Sequence, residues 1–234
     1  MKRSGATTAG SVAARIRRGH RRRFYRVSDF DGSRTAVERA LERLEDAGEL
    51  VRVRNGLYWR GVETPLGMAP PNPREVLGEL ARGHAIGPAG LSAANRLGLT
   101  TQVPRVPSYA VSGWEGRPLK RVRTVRRGGI RGKARDAARL NETEIAILEV
   151  LDSWEDVVEL DAPSSLERLV AALHDAEVRP QKLVEAARSE PARVRVRLRY
   201  LLERAALNVD ESSLPPASKA SLAREALKPL LAAA

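Results

Sequence analysis

The chain has 234 residues, with 41 Lys+Arg against 29 Asp+Glu for a formal net charge of +12; it has no cysteine, and 4% of its residues are aromatic. That length fits one large or two small domains, and the missing cysteines exclude a disulfide scaffold, a thiolate metal site and a thiol nucleophile. No run approaches the ~20 apolar residues of a membrane span and no apolar stretch follows the basic N-terminus as in a secretory signal, so a cytoplasmic protein without membrane contact is expected.

Residues 1–10 are small and polar and read as a disordered basic arm. Val12 and Ile16 mark a short first helix closed by Gly19. Arg21, Arg22 and Arg23 form a basic run, and Phe24–Val27 reads as a strand. After the Asp31-Gly32 turn, Ser33–Ala47 is the clearest helix. Val37, Leu41 and Leu44 share one face with Ala40 and Ala47, Asp31 or Ser33 is the N-cap, and Gly48 is the stop. Residues 49–54 alternate at period two. Asn55-Gly56 is a hairpin turn expected to need positive φ at both residues, and Leu57–Arg60 returns as a strand.

Residues 61–73 hold four prolines and two glycines and read as a linker. A second domain then spans 74–234, with an α/β core over about 74–160 and a helical end over 161–234. Helices are expected over Glu75–Arg82, Pro88–Leu97 and Glu142–Trp154, the last amphipathic and capped by Asn141. Further helices are expected over Ser164–His174, Pro180–Arg188, Pro191–Leu207 and Ser218–Leu231. Tyr109–Val111 and Lys120–Val125 read as strands joined by a Gly-containing turn, and Gly128–Gly132 as a loop.

The first 60 residues thus run helix, strand, turn, amphipathic helix, glycine, hairpin. That order is a winged helix-turn-helix, and the fold class is α+β: this domain, then a mixed α/β domain ending in a helical region. A helix fits the major groove, and its first outward residues face base edges. Here those are Ser33, Arg34, Thr35, Glu38 and Arg39, with Arg43 further along. Arg52, Arg54, Arg60 and Asn55 on the wing are placed for phosphates or a minor groove, and Arg21, Arg22 and Arg23 before it for a further phosphate clamp. A solvated Arg/Glu face with internal pairs is the plainer reading of the helix. Phe24, Tyr25, Tyr58 and Trp59 read as core of a small domain.

Charge is polarised along the chain: net +8 over residues 1–60, +9 over 61–140 and −5 over 141–234. In the middle segment Lys120, Arg121, Arg123, Arg126 and Arg127 form a second basic surface, with Arg131 and Lys133 beyond. It suits nucleic acid or a solvated strand edge whose charges discourage unwanted pairing.

Three stretches resemble the AbiEi family of bacterial antitoxins. They are Val27–Phe30 with SRTAVERALERLEDAGELVRVRNGLY (Ser33–Tyr58), GPAGLSAANRLGLTTQVP (Gly87–Pro104) followed by the extended Ser108–Val111, and Leu140–Glu149. Together they cover roughly residues 11–150. The resemblance implies an N-terminal domain that binds inverted repeats upstream of its own operon and represses it, two protomers per operator. It also implies a second domain that neutralises a nucleotidyltransferase-type toxin, either in the type IV manner without a stable complex or, as in related pairs, by direct contact.

Catalytic signatures are missing. GGIRGK (Gly128–Lys133) has the composition of a phosphate loop but fails its spacing. His20, His84 and His174 lie far apart, and the acids of 152–161 read as a loop and strand flank. No enzyme activity, cofactor or metal is expected. The alternative function is a stand-alone winged-helix regulator whose second domain senses a ligand, with the small-residue helix Gly87–Leu99 lining the pocket.

Overall fold

The computed structural model describes residues 7–113 and 119–232. The chain folds as two compact units, Met1–Glu79 and Leu80–Ala234. Both mix helices with small sheets, so the class is α+β.

The first unit runs α1 (Thr8–Arg18), β1 (Arg23–Arg26), a 3-10 turn (Val27–Asp29), α2 (Arg34–Asp46), β2 (Val51–Arg54) and β3 (Leu57–Arg60). It continues through β4 (Glu63–Thr64), β5 (Gly67–Met68) and α3 (Pro73–Leu80). The first three strands form an antiparallel sheet in the order β1-β3-β2. Val37, Ala40, Leu41 and Leu44 of α2 pack on Val12 and Ile16 of α1 and on Tyr25, Leu50 and Tyr58 of the sheet side. The four-and-three spacing read from the sequence is the face that this packing buries.

Arg60 does not stand outward on the wing. It is 9% exposed, and its guanidinium donates to the carbonyls of Ile16, Arg17 (3.2 Å) and Gly19 (2.7 Å). The last carbonyls of a helix lack intrahelical partners, and a cation there also meets the negative end of the helix dipole. Arg60 therefore fastens β3 to the end of α1.

The wing turn differs from expectation. Gly56 has φ of 73°, whereas Asn55 lies outside the left-handed region, and β2 carries a register shift between Arg52 and Arg54. One left-handed residue and a bulge replace the turn with two. The stretch read as a linker is built into the first unit: β4 and β5 pair as a hairpin, and Trp59 Nε1 donates to the Ala69 carbonyl at 2.9 Å. Of the arm expected over residues 1–10, 1–6 lie outside the described residues, while Thr7 caps α1 by accepting from the Gly10 N–H.

The second unit opens with β6 (Ile86–Pro88), α4 (Leu91–Arg96), β7 (Ser108–Ser112) and β8 (Arg123–Arg127), in a sheet of order β6-β7-β8. There β6–β7 is antiparallel and β7–β8 parallel. The turn expected between the last two strands falls mostly outside the described residues. Among the described residues seven helices follow: α5 (Gly129–Ala138), α6 (Glu142–Asp152), α7 (Trp154–Val157), α8 (Ala162–Leu173), α9 (Pro180–Ala187), α10 (Ala192–Arg204) and α11 (Ala220–Leu231).

Three sequence readings change here. The start of the expected 88–97 helix is strand β6. The expected loop at 128–132 begins α5, and Gly132 is required because a Cβ there would lie 2.1 Å from the Arg127 carbonyl. The 142–154 helix is not amphipathic in place: Glu144–Leu151 are all buried, because α6 is the central helix packed by β6, α4, α9 and α10. Asn141 caps it as expected, in a reciprocal box with Glu144.

Beside α6 lies a buried ion network. Arg127 Nε and Nη2 reach the two Glu149 oxygens at 2.8 and 2.5 Å. Arg135 bridges Glu149 and Glu190, both at 2.7 Å. Arg131 meets Glu190 at 2.5 Å and Asp152 at 2.9 Å, and Arg193 meets Asp152 at 2.7 Å. Arg135, Glu149 and Glu190 are 1–2% exposed. Burial pushes the Glu149 carboxyl up, but the hydrogen bonds and charges of Arg127 and Arg135 more than reverse this and hold it below its ordinary range. Asp152 is likewise pushed up by burial and held low by Arg131 and Arg193. Arg131 is pushed down by burial and by neighbouring Arg135.

Removing one partner of a buried pair strands the other, so Glu149→Gln should cost about 3–5 kcal/mol in urea unfolding of the full chain. Because both carboxylates are depressed in the native state, their stabilisation is present above the ordinary range of about pH 4 and lost as pH falls through the native values. Unfolding free energy measured from pH 6 downwards should therefore drop steeply in the wild type and less steeply in Glu149→Gln. Arg60→Ala, which uncovers the end of α1, should lower stability by about 1–3 kcal/mol.

Candidate nucleic-acid interface

Helix α2 starts with Ser33 as N-cap, its Oγ 3.4 Å from the Ala36 N–H. Its first turn contains no acidic residue and begins with Arg34. A helix N-terminus already carries partial positive charge, so a cation there opposes helix stability and an anion is favoured. Ser33, Arg34, Thr35, Arg39 and Arg43 are exposed, and Glu38 is half-buried. Arg34 Nε donates to Glu38 Oε1 at 2.8 Å, and Arg43 Nε to the Arg39 carbonyl at 3.1 Å.

The wing and the start of α2 share a cleft of about 400 Å³. It is lined by Arg26, Val27, Ser28, Phe30, Arg34 and Gly56, among others. Arg34 and the wing tip, separated in sequence, thus flank one concave surface. Arg52 is exposed over the Tyr58 ring, 5.7 Å from its centroid, and Asn55 is exposed at the tip. Arg54, the last residue of β2, is half-buried. The lining supplied by Val27, Ser28 and Phe30 was not anticipated as part of a site. Its only signal is its position between strand β1 and the N-cap.

Arg21, Arg22 and Arg23, at the entry to β1, do not act as one clamp. Arg21 Nη1 pairs with Glu63 at 2.9 Å and also donates to the Gly61 carbonyl. Arg22 has φ of 62° and lines a different cleft with Trp59, Asn72 and Glu75. Arg23 lies over the Tyr25 ring at 5.5 Å. Tyr25, Tyr58 and Trp59 are buried, and Phe24 packs on Trp59 with centroids 4.7 Å apart. These rings are core, as their small domain requires.

In the second unit β8 is a sheet edge. Lys120, Arg121, Arg123, Arg126 and Lys133 are exposed. Arg127 is removed from this surface, because its guanidinium turns inward onto Glu149, and Arg131 is taken by Glu190 and Asp152. The spacing 127, 131, 135 was a signal for one shared side, but burial of that side could not be read from it.

The acids of 152–161 are not a strand flank. Asp152 ends α6, and Glu155 in α7 pairs with the buried Arg197. His84 faces Asp136 at 3.0 Å, and His174 Nε2 lies 3.1 Å from the Ala205 carbonyl. Among the described residues no group of three or more His, Cys, Asp or Glu could hold a metal ion, and no helix is long and apolar enough to cross a membrane.

The small residues after Gly87 are consumed by packing. A Cβ on Gly87 would lie 2.5 Å from Ile145 Cβ, and Ala89, Ala93 and Ala94 are at most 1% exposed.

The matched family spans the α2 and wing surface and runs on to β8. No curated protein matches the chain, and over residues 12–125 it is similar to DUF6088, a family of unknown function.

Proposed function

We propose that the protein is a DNA-binding autorepressor and the antitoxin of a type IV, AbiE-like toxin–antitoxin pair. The first half is carried by one observation: the first turn of α2 bears an exposed arginine and no acid, beside a cleft shared with the wing. That arrangement serves an anionic partner better than it serves the helix. Arg34 and Arg39 read base edges, while Arg43, Arg52, Arg54 and Asn55 hold the backbone. The partner is inverted-repeat operator DNA, with one protomer on each half-site.

The antitoxin half rests on the resemblance of Gly87–Pro104 and Leu140–Glu149 to the AbiEi family. The toxin would be of the nucleotidyltransferase type and the functional partner. A stand-alone regulator with a ligand-sensing second domain has less support, since the helix that would line the pocket spends its small residues on packing against α6. Neither catalysis nor a cofactor is part of this reading.

The exposed cations of β8 and its approach enter as a second phosphate-contacting surface. Residues 80–135 hold twelve Lys+Arg and a single acid, Glu115. Three of the twelve are spent in the interior network.

Duplex DNA from upstream of the gene provides the probe, in fluorescence anisotropy titrations across a salt series. Arg34→Ala and Arg39→Ala should each weaken operator binding by ~1–3 kcal/mol and leave scrambled DNA nearly unaffected. Arg54→Ala should weaken both alike and lower the salt slope by about one. Wild-type affinity for all three variants would refute the interface. Co-expression with an adjoining nucleotidyltransferase-type gene tests the other half, and unrelieved growth arrest would sink it.

The triple variant Lys120→Ala/Arg121→Ala/Arg123→Ala should lower the salt slope further, by up to about three. An unchanged slope would assign those cations to solvation of the strand edge.

A further inference from the structure

Arg34 and Glu38 form an unusual pair for a helix end. Side chains at i and i+4 lie one above the other on the same face. The order that helps a helix places the acid toward the N-terminus and the base toward the C-terminus. Here the order is reversed, with the arginine in the first turn and the glutamate one turn later. The pair also lies at the surface, with the Arg34 side chain 84% and the half-buried Glu38 side chain 36% exposed, and surface pairs contribute little to stability. Helix stability is therefore a poor account of it.

Its geometry offers a better one. The contact is made by Arg34 Nε to Glu38 Oε1. The guanidinium is a rigid planar fork, so anchoring Nε fixes the plane and direction of the other two nitrogens. Among the described residues, Arg34 Nη1 and Nη2 make no hydrogen bond. A terminal pair of N–H donors held in one plane matches the O6 and N7 acceptors of guanine in the major groove. Arg34 lines the cleft beside the wing, so the fork is held on the face the proposed interface uses.

We infer that Glu38 is a positioning residue for base selection: it locks the Arg34 guanidinium so that the fork prefers guanine over the other bases. This rests on the DNA-binding reading above and deepens it. In free protein the attraction within the pair is screened by solvent. Docking on DNA excludes water around it, and the same contact strengthens as the local dielectric falls. Glu38 also keeps a negative charge on the docking face, which penalises indiscriminate attachment to phosphate.

The two roles of Glu38 separate cleanly by substitution. Glu38→Gln keeps an Oε1 acceptor for Arg34 Nε but removes the charge, whereas Glu38→Ala removes both. Selection from a random duplex pool, read by sequencing, gives the motif of each full-length protein. Arg34→Ala identifies the base pair that Arg34 reads. Circular dichroism checks that each variant is folded.

The expected result is that wild type and Glu38→Gln both select guanine at that position, while Glu38→Ala loses the preference about tenfold. Both Glu38 variants should bind scrambled duplex more tightly than wild type, and to the same extent, because they lose the same charge. If both variants keep the guanine preference, Glu38 does not position Arg34 and the inference fails. If both lose it equally, charge rather than geometry is responsible, and it fails as well. If wild type selects no motif at all, the DNA-binding reading itself falls and the inference with it.

Discussion

A guanidinium taken out of water needs an acceptor for nearly every N–H it carries, and this chain uses that requirement as its chief polar fastener. Arg60 gathers three carbonyls at the end of α1. Arg127, Arg131 and Arg135 gather three carboxylates beside α6. Arg197, 1% exposed, reaches the carbonyls of Leu151 and Ala226 and the Glu155 carboxylate. Each joins elements that apolar packing alone would leave free to slide. With two Phe and three Trp in the whole chain, few large rings are available to set the angles between helices. Directional arginine bonds do part of that work.

The same chemistry divides the basic charge into two populations. One is internal, held by carboxylates or carbonyls, and says nothing about partners. The other stands outward on α2, on the wing and along the approach to β8. A formal charge of +12 counts both together. Only the outward set is a basis for reading a polyanionic partner.

Local features were the legible ones. The α2 face, its Ser33 cap, the stop at Gly48 and the hairpin at Asn55-Gly56 rest on neighbours within a few residues, and all were present in the pattern. What escaped depends on what packs from elsewhere. Glu144–Leu151 reads as amphipathic, yet it is covered on every side, because its two glutamates are matched by arginines distant in sequence. GGIRGK reads as a loop until the Arg127 carbonyl is seen against Gly132. The prolines of 61–73 read as a linker, though Trp59 and Arg21 hold the segment in place. Of the candidate site, the helix residues were recoverable, but the cleft was not, since it is formed by the meeting of two stretches, 26–37 and the wing tip at Gly56. Arg60 and Arg127 had the right residue type on the wrong side of the surface.

The link from Arg60 to α1 has a mechanical consequence. β3 is the central strand of the first sheet, and it carries one arm of the wing. Swinging that arm would expose the carbonyls of Ile16, Arg17 and Gly19 along with a buried cation. The hairpin therefore behaves less like a flexible finger than like a bracket bolted to the helix behind it. A bracket that is already in position loses little conformational freedom when it engages a surface, so more of the contact energy survives as affinity. Its rigidity also sets a tolerance: a surface whose contour departs from the bracket must itself bend to be held.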